Sequence, residues 1–435
     1  MPEPATRSIS VWQGTALYVG AVVGSGILIL PGITASIAGA GALLAWAGMI
    51  LLSLPLASTF AYLARDYPSA GGVSTFVERA FGRYPGALIG WFYFIAATAG
   101  QFIVPLTGGG YVSYVFHWPR GAAFGIATVI LAGAIASNYR GIRTSGKVQL
   151  VTSGLIAVVL LAATAAAVPA MHSGAWVPHG AGLRWSAVGR SSMLIFWSFF
   201  GWEAIASLAP EFRHPQRDVL RATWGGVVIV GVLYFGIALA VIVTHAYVAA
   251  PPSSFVPVNN AALARVMGMA IGQPGAVVTA LLAVVICLGT TNAFVAAISR
   301  LAYALAHHGS APRWLDQVDA RGTPQRAVLL VALMAGTGIL VTWVCHLSMT
   351  RLVYIPNSLG IATYILGTAA GVRLIRTPQG KIAAGISCAA CIAAYPFVGT
   401  FIGIPAVVAL GCIGYLVWRG RWQARGRIPR FNEMR

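Results

Sequence analysis

The stretch Gly20–Pro31, GAVVGSGILILP, lies inside the first long apolar run of the chain and places three glycines and a serine within seven residues. A helix that crosses a membrane bonds its own backbone throughout, because lipid offers no partner for a free N–H or C=O. Gly24-Ser25-Gly26 works against that continuity, since glycine lets the chain leave helical geometry and lets a ligand approach the backbone. A helix that stops there and restarts at Ile27 presents free N–H groups and the positive end of its dipole, a setting that suits a carboxylate. Ser25 adds a hydroxyl donor, and Val22 and Ile27 flank the break. Small residues four apart also suit close helix packing. Gly20 and Gly24 read equally well that way, whereas Gly24-Ser25-Gly26 reads as an interruption.

The rest of the chain says which solvent this helix meets. Of 435 residues, 58% are hydrophobic and only 9% charged, with a mean hydropathy of +0.79. Soluble domains carry roughly 25% charged residues. Apolar runs of about 18 to 25 residues, the length that spans a ~30 Å hydrocarbon core, recur along the sequence. They predict an all-α polytopic membrane protein with twelve transmembrane helices, near 11–36, 41–64, 84–107, 121–138, 148–171, 188–210, 222–247, 273–306, 327–347, 350–372, 381–398 and 401–419. No small-residue cleavage site follows the short N-terminal segment MPEPATRSISVWQG, so the first run reads as a retained span. Connections are too short for a soluble domain, which leaves function to the bundle.

The formal charge of +19 invites a nucleic-acid partner. The placement of the charge argues against one. With the N-terminus in the cytoplasm, all Lys and Arg residues except Arg120, Arg184, Arg190, Arg265 and Arg351 fall on the inner side, as the positive-inside bias requires. Both termini are then cytoplasmic, and the basic tail 420–435 reads as an anchor on anionic lipid. The five cysteines lie in apolar runs, and the Cys388/Cys391 pair has no second pair or nearby His to complete a metal site. Neither a metal nor a cofactor is expected.

A second interruption supplies the repeat. Helix 6 contains SFFGWEAIASLAPE (Ser198–Glu211), with Gly201 beside an acid. The two interruptions lie five helices apart, an odd number, so two five-helix units have opposite orientations. Broken helices at matching positions of two halves are the sequence pointer to a transporter binding site. The expected organisation is a cytoplasmic N-terminus over 1–10, repeats over 11–172 and 188–372, two further helices over 381–419, and the tail. At the second break, the freed carbonyls of Trp197, Ser198 and Phe200 are placed to accept from an ammonium group. One break for an anion and one for a cation describes a zwitterion, and a free amino acid is the obvious one.

Glu203 is the single acid deep within a span. An ionisable group at that depth is a functional hypothesis by default, and low-dielectric surroundings favour the neutral acid over the carboxylate. Two roles stand open for it: coupling or gating through a proton, or a strut that holds the break. Trp197 directly precedes the break, and Tyr93 and Tyr354 are the further aromatic gate candidates. Gln101 and Asn357 read first as interhelical hydrogen-bonding groups. The eight histidines lie in loops or at span ends, so the paired acids, His cluster or Ser–Lys dyad of a membrane-embedded enzyme are not in view. A channel predicts polar rings and oligomeric symmetry, which one internal inverted repeat does not suggest.

At these residues the sequence resembles the amino acid–polyamine–organocation transporter superfamily over nearly its whole length. The carriers are GAVVGSGILILPG, YPSAGGVSTFVERAFG (Tyr67–Gly82) and FWSFFGWEAIASLAPEFRHPQRDVLRA (Phe196–Ala222). RDYPSAGGV and EFRHPQRD in particular are similar to bacterial exporters of methionine and branched-chain amino acids. The resemblance implies the fold of the leucine-transporter group, a five-plus-five inverted repeat with discontinuous helices 1 and 6 and two peripheral helices. It also implies that Gly24, Ser25 and Gly26 hold the substrate carboxylate and the helix 6 backbone the amine. Similarity to arginine/agmatine antiporters carries gating onto Trp197 and a pH-linked role onto Glu203.

One departure bears on coupling. Several proton-coupled relatives place a Lys in helix 5, whereas VQLVTSGLIAVVLLAA (Val148–Ala163) has none. Either Glu203 carries the proton, or a cation sits near Thr290, Thr291 and Asn292, or exchange is uncoupled. With Glu203 assigned to coupling, the pocket looks neutral, which favours Met, Leu, Ile or Val as substrate. The expected protein exports such amino acids across the bacterial cytoplasmic membrane, with importers and exchangers of the same fold as the alternative. On the inner side, Glu211 is expected either to pair with Arg143 as a gate or to form a solvated surface pair.

Overall fold

The computed structural model describes residues 9–67, 72–141, 146–172, 184–204, 209–249 and 257–424. The helices are α1 (Val11–Val22), α2 (Gly26–Ala38), α3 (Ala42–Asp66), α4 (Gly72–Phe81), α5 (Arg83–Val115), α6 (Arg120–Tyr139), α7 (Gly146–Ala166) and α8 (Val168–His172). They continue with α9 (Trp185–Ile195), α10 (Pro215–Val243), α11 (Pro257–Asn260), α12 (Ala262–His307), α13 (Gln325–Val344), α14 (Met349–Leu374), α15 (Pro378–Ala394) and α16 (Gly403–Ala424). Helical structure occupies each of the twelve expected stretches. Nine segments among the described residues are long and apolar enough to cross a membrane by length and composition.

Local chemistry sets the ends. Ser10 caps α1 through a capping box, its Oγ accepting from the Gln13 N–H at 3.3 Å and its own N–H donating to Gln13 Oε1 at 2.9 Å. α12 runs 46 residues and bends at Ile271–Gly272, where φ of Gly272 is +72°. At 1.5 Å per residue such a helix is roughly 69 Å long, so the bend divides an outlying segment from the expected span that starts at 273.

α5 and α12 pack antiparallel through the centre: Gly90 sits against Leu305, and Gly108 lies against Ile130 and Cys287. The last two helices are peripheral, with Val407 and Leu410 of α16 70% and 71% exposed, which suits a lipid-facing surface.

Long-range hydrogen bonds tie the turns at each end. At one end Trp91 Nε1 donates to the Ser310 carbonyl at 2.8 Å, Arg321 to the Arg140 carbonyl at 3.0 Å and Tyr67 Oη to the Leu374 carbonyl at 3.1 Å. At the other, Gln273 donates to the Val115 carbonyl at 3.1 Å, and Val248 and Asn259 bond each other at 2.8 and 2.9 Å. The first is the end at which arginines concentrate. The tail beyond Ala424, Arg7 and Arg143 lie outside the described residues.

Candidate functional site

The first helix stops where its glycines predict. α1 ends at Val22, Val23 leaves helical geometry (φ −73°, ψ 86°), and α2 begins at Gly26, one residue before the expected restart. Every residue from Gly26 to Ala35 is buried. The second break is made differently. After α9 the chain tightens into a 3-10 turn over Phe196–Phe199, Phe200 is extended (φ −72°, ψ 144°), and a further 3-10 turn covers Trp202–Ala204. Between them Gly201 has φ +123°, a conformation essentially confined to glycine.

The two breaks touch. A Cβ on Gly201 would lie 2.7 Å from the carbonyl oxygen of Ala21, and a Cβ on Gly26 would collide with the Trp197 indole. Tyr234 of α10 spans them, its hydroxyl 3.0 Å from the Val22 carbonyl and 3.2 Å from the Ser198 carbonyl. A phenol has one proton, so two freed carbonyls share one donor. This joins the breaks and offsets part of the cost of interrupting a helix in lipid.

Around this junction lies a cavity of about 100 Å³, room for roughly seven to ten water-sized groups and so of the order of one amino acid. The breaks contribute Val22, Gly24, Ser25, Gly26, Ser198 and Phe200. Trp197 joins them, lying across Gly26 and within 3.0 Å of a Cβ built on Gly100. α5 supplies Tyr93 and Gln101, α12 supplies Thr290 and Phe294, and α14 supplies Gly360, Thr363 and Tyr364. Among the described residues no charged side chain lines it. Ser198 Oγ and Gln101 Oε1 are buried without a hydrogen-bond partner among the described residues, an arrangement that invites a ligand donor.

Glu203 lies behind the cavity wall, 6% exposed. Its Oε1 accepts from Tyr93 Oη at 3.2 Å, and its Oε2 accepts from the Gly201 N–H at 3.1 Å and from Tyr364 Oη. Both tyrosines also line the cavity. Oε2 thus holds two donors, one backbone and one phenol, while Oε1 holds the Tyr93 phenol alone. The acid therefore reaches the cavity through two phenols.

Other candidate residues sit elsewhere. Ile27 is fully buried and does not line the cavity, and Gly201 acts by its backbone alone. Tyr354 stacks on Phe401 with centroids 5.4 Å apart, away from the cavity wall. Asn357 donates to the carbonyls of Met193 and Leu194 at 2.7 and 3.3 Å, tying α14 to the end of α9. Gln101 Nε2 bonds its own helix at Ala97, 3.1 Å away. Thr290, Thr291 and Asn292 do not converge, because successive helical residues point about 100° apart. Thr290 lines the cavity, Thr291 is fully buried, and Asn292 Oδ1 accepts from Asn138 Nδ2 at 2.7 Å. Among the described residues no cluster of three His, Cys, Asp or Glu is placed to hold a metal. The Glu211 carbonyl accepts from the Ile9 N–H at 3.0 Å, while its suggested partner Arg143 lies outside the described residues.

Tyr234 and Tyr364 are the residues of the candidate site that the sequence did not single out. A signal existed, since each is a hydroxyl in mid-span that needs a partner in lipid. Only the fold shows that the partners are the broken backbone and the buried acid.

The profile of the amino acid permease family matches residues 9–417. The amino acid permease YecA of Bacillus subtilis strain 168 is 35% identical over 427 residues, which is 97% of each chain. The L-methionine/branched-chain amino acid exporter YjeH of Escherichia coli K12 is 27% identical over 392 residues, 89% of this chain and 91% of its own. Among solved structures, MhsT in complex with L-phenylalanine superposes with a TM-score of 0.62 at 13% identity, covering 89% of this chain and 98% of that one. At that identity the likeness is one of fold, the leucine-transporter-like arrangement.

Proposed function

The chain belongs to the amino acid permease family, and from that premise we propose that it moves neutral apolar L-amino acids, methionine, leucine, isoleucine and valine, by alternating access. Family and fold are those of multi-pass membrane transporters and not of enzymes. The observation that carries the substrate class is the cavity wall: among the described residues, small and aromatic side chains with a few neutral polar groups and no charge. A cationic or anionic side chain desolvated there finds no partner, which costs several kcal/mol. The substrate carboxylate lies on the N–H groups that open α2, helped by Ser25, where dipole and free donors favour an anion. The amine lies towards the second break, near Ser198, with Trp197 above the side chain as the gate. Ser198 is a less generous acceptor than its sequence suggests, because Tyr234 already holds its carbonyl.

Glu203 is the coupling group in this reading. Its proton enters and leaves through Tyr93 and Tyr364, which form the wall between the acid and the substrate. The membrane is the bacterial cytoplasmic membrane with both termini inside, and the direction is export. Similarity to the exporter YjeH supports both direction and substrates. The test is uptake and counterflow in proteoliposomes, with pH and sodium gradients varied separately. Methionine and leucine exchange and a response to the pH gradient alone are expected. Transport of arginine with no movement of methionine or leucine refutes the substrate class, and a response to sodium alone refutes proton coupling.

A further inference from the structure

Away from the central cavity, at the end of the bundle where arginines concentrate, lies a second and larger cavity of about 340 Å³. Three separate parts of the chain build it. α6 and its terminal turn bring Asn138 and Gly141, α12 brings Ser299 and Arg300, and the connection into α13 brings Arg321, Gly322 and Thr323. Its character is the reverse of the central site: two guanidinium groups, two hydroxyls and an amide, with no acidic side chain among the described residues of its lining.

The arginines stand ready for an anion. Among the described residues no hydrogen bond or ion pair engages the Arg300 guanidinium. Arg321 spends one amino group on the Arg140 carbonyl at 3.0 Å and keeps its other donors. The nearby acid, Asp319, is turned into the connecting loop. Its Oδ1 accepts from the backbone N–H groups of Arg321 and Thr323 at 2.9 and 2.8 Å, and its Oδ2 from Gln325 at 3.3 Å. It fixes the turn that presents Arg321. Thr323 is 8% exposed, and its hydroxyl carries no hydrogen bond among the described residues. Gly141, at φ +74°, leaves room beside that hydroxyl, since a Cβ there would sit 2.7 Å from Thr323 Oγ1.

We infer that this cavity is a binding site for a phosphate group, held by Arg300 and Arg321 with the Thr323 hydroxyl as a third partner. Guanidinium forks match phosphate oxygens in geometry and charge. Two sources carry this chemistry: the headgroup of an anionic lipid, which a basic pocket between transmembrane helices on the cytoplasmic side suits, and free inorganic phosphate. A phosphate here clamps the end of α12 to α6 and α13. Arg300 lies on the same helix as Thr290 and Phe294 of the central cavity, so an occupied site holds that wall in place.

The test is direct binding, which does not depend on the transport reading. Purified full-length protein in detergent is titrated with phosphatidylglycerol, with phosphatidylcholine and with inorganic phosphate. Thermal unfolding and lipid retention by native mass spectrometry are the readouts. Arg300→Gln removes no hydrogen bond and is expected to fold. It should weaken binding about fivefold, and Arg300→Gln with Arg321→Gln about thirtyfold. Lys381→Gln, which removes an exposed charge outside the cavity, should leave binding unchanged. A shift with phosphatidylglycerol that the arginine variants lose assigns a lipid headgroup. A shift with inorganic phosphate that they lose assigns the free ion. Binding that Arg300→Gln and Lys381→Gln weaken equally, or no binding of either phosphate, overturns the site.

Discussion

Gly201→Ala tests whether the junction of the two breaks is the binding site. Gly201 has φ +123°, and an alanine held there is strained by about 1–3 kcal/mol. The added Cβ would also stand 2.7 Å from the Ala21 carbonyl oxygen and 3.3 Å from Val22 Cα. Both are backbone atoms of the opposite break and cannot rotate away. Ordinary contact requires the breaks to separate by more than half an ångström, and overpacking of this kind costs about 1–3 kcal/mol. The penalty of the competent arrangement is then at least about 2 kcal/mol. That leaves roughly one molecule in thirty competent and raises the apparent Kd about thirtyfold. Gly48→Ala on α3 is the control, because its Cβ meets nothing within 4 Å and it does not line the cavity. Binding of methionine or leucine to purified protein is measured by calorimetry, with thermal unfolding as the check on folding. A folded Gly201→Ala protein that binds as tightly as Gly48→Ala refutes the reasoning, because the approach of the breaks would then not matter to the ligand.

Other substitutions separate the roles around the cavity. Glu203→Gln keeps an acceptor at the site but holds no exchangeable proton, so substrate counterflow should persist while the response to a pH gradient disappears. Tyr364→Phe removes one donor from Glu203 Oε2 and should displace the pH profile of transport with a smaller effect on Kd. Trp197→Ala strips the apolar cover from the substrate and should weaken binding tenfold or more, since a buried side chain of that class is worth about 1.5–3 kcal/mol. Tyr354→Phe should leave Kd and transport within about twofold, because this ring stacks on Phe401 outside the cavity; a large loss would place Tyr354 in the gate after all.

The break at Gly24–Gly26 was legible because it violates a strong local rule, the continuity of a helix in lipid. Glu203 was legible for the same reason, as a charge at a depth where charge is rare. Long apolar runs made the helices visible, though not their ends: α12 continues beyond its expected start because the bend at Gly272 interrupts no hydrophobic pattern. Side-chain partners were hidden. Tyr234 meets Val22, 212 residues away in sequence, and Tyr364 meets Glu203 across 161. Neither distance leaves a trace in composition or periodicity. Tyr354 was misleading because a mid-span aromatic looks alike whether it faces a cavity or a neighbouring ring. The Thr290–Asn292 group failed to converge for a geometric reason, since a cation needs ligands on one face and consecutive helical residues occupy several.

The contacts of the first helix also constrain how such a site opens. The Ile9 N–H donates to the Glu211 carbonyl and the Arg213 N–H to the Ile9 carbonyl, both at 3.0 Å, a short parallel bridge between the start of α1 and the chain that leaves the second break. Further along α1, Thr15 donates to the carbonyl of Ala222 on α10 at 3.3 Å, and the Tyr18 hydroxyl meets that of Thr223 on α10 at 2.5 Å. Tyr18 packs on Trp202 with centroids 6.0 Å apart. Swinging α1 alone would break these four hydrogen bonds and those that Ser153 and Tyr234 donate to the Gly20 and Val22 carbonyls, about 3–9 kcal/mol at the usual net value of each. Moving α1, the chain after Gly201 and the first half of α10 as one piece keeps the first four. The hinges that such a motion needs are present already, at Val23–Ser25 and at Phe200–Gly201, where the backbone is non-helical. In the proposed alternating-access reading, the residues that break the helices around the cavity are thus the same ones about which one part of the bundle moves against the other.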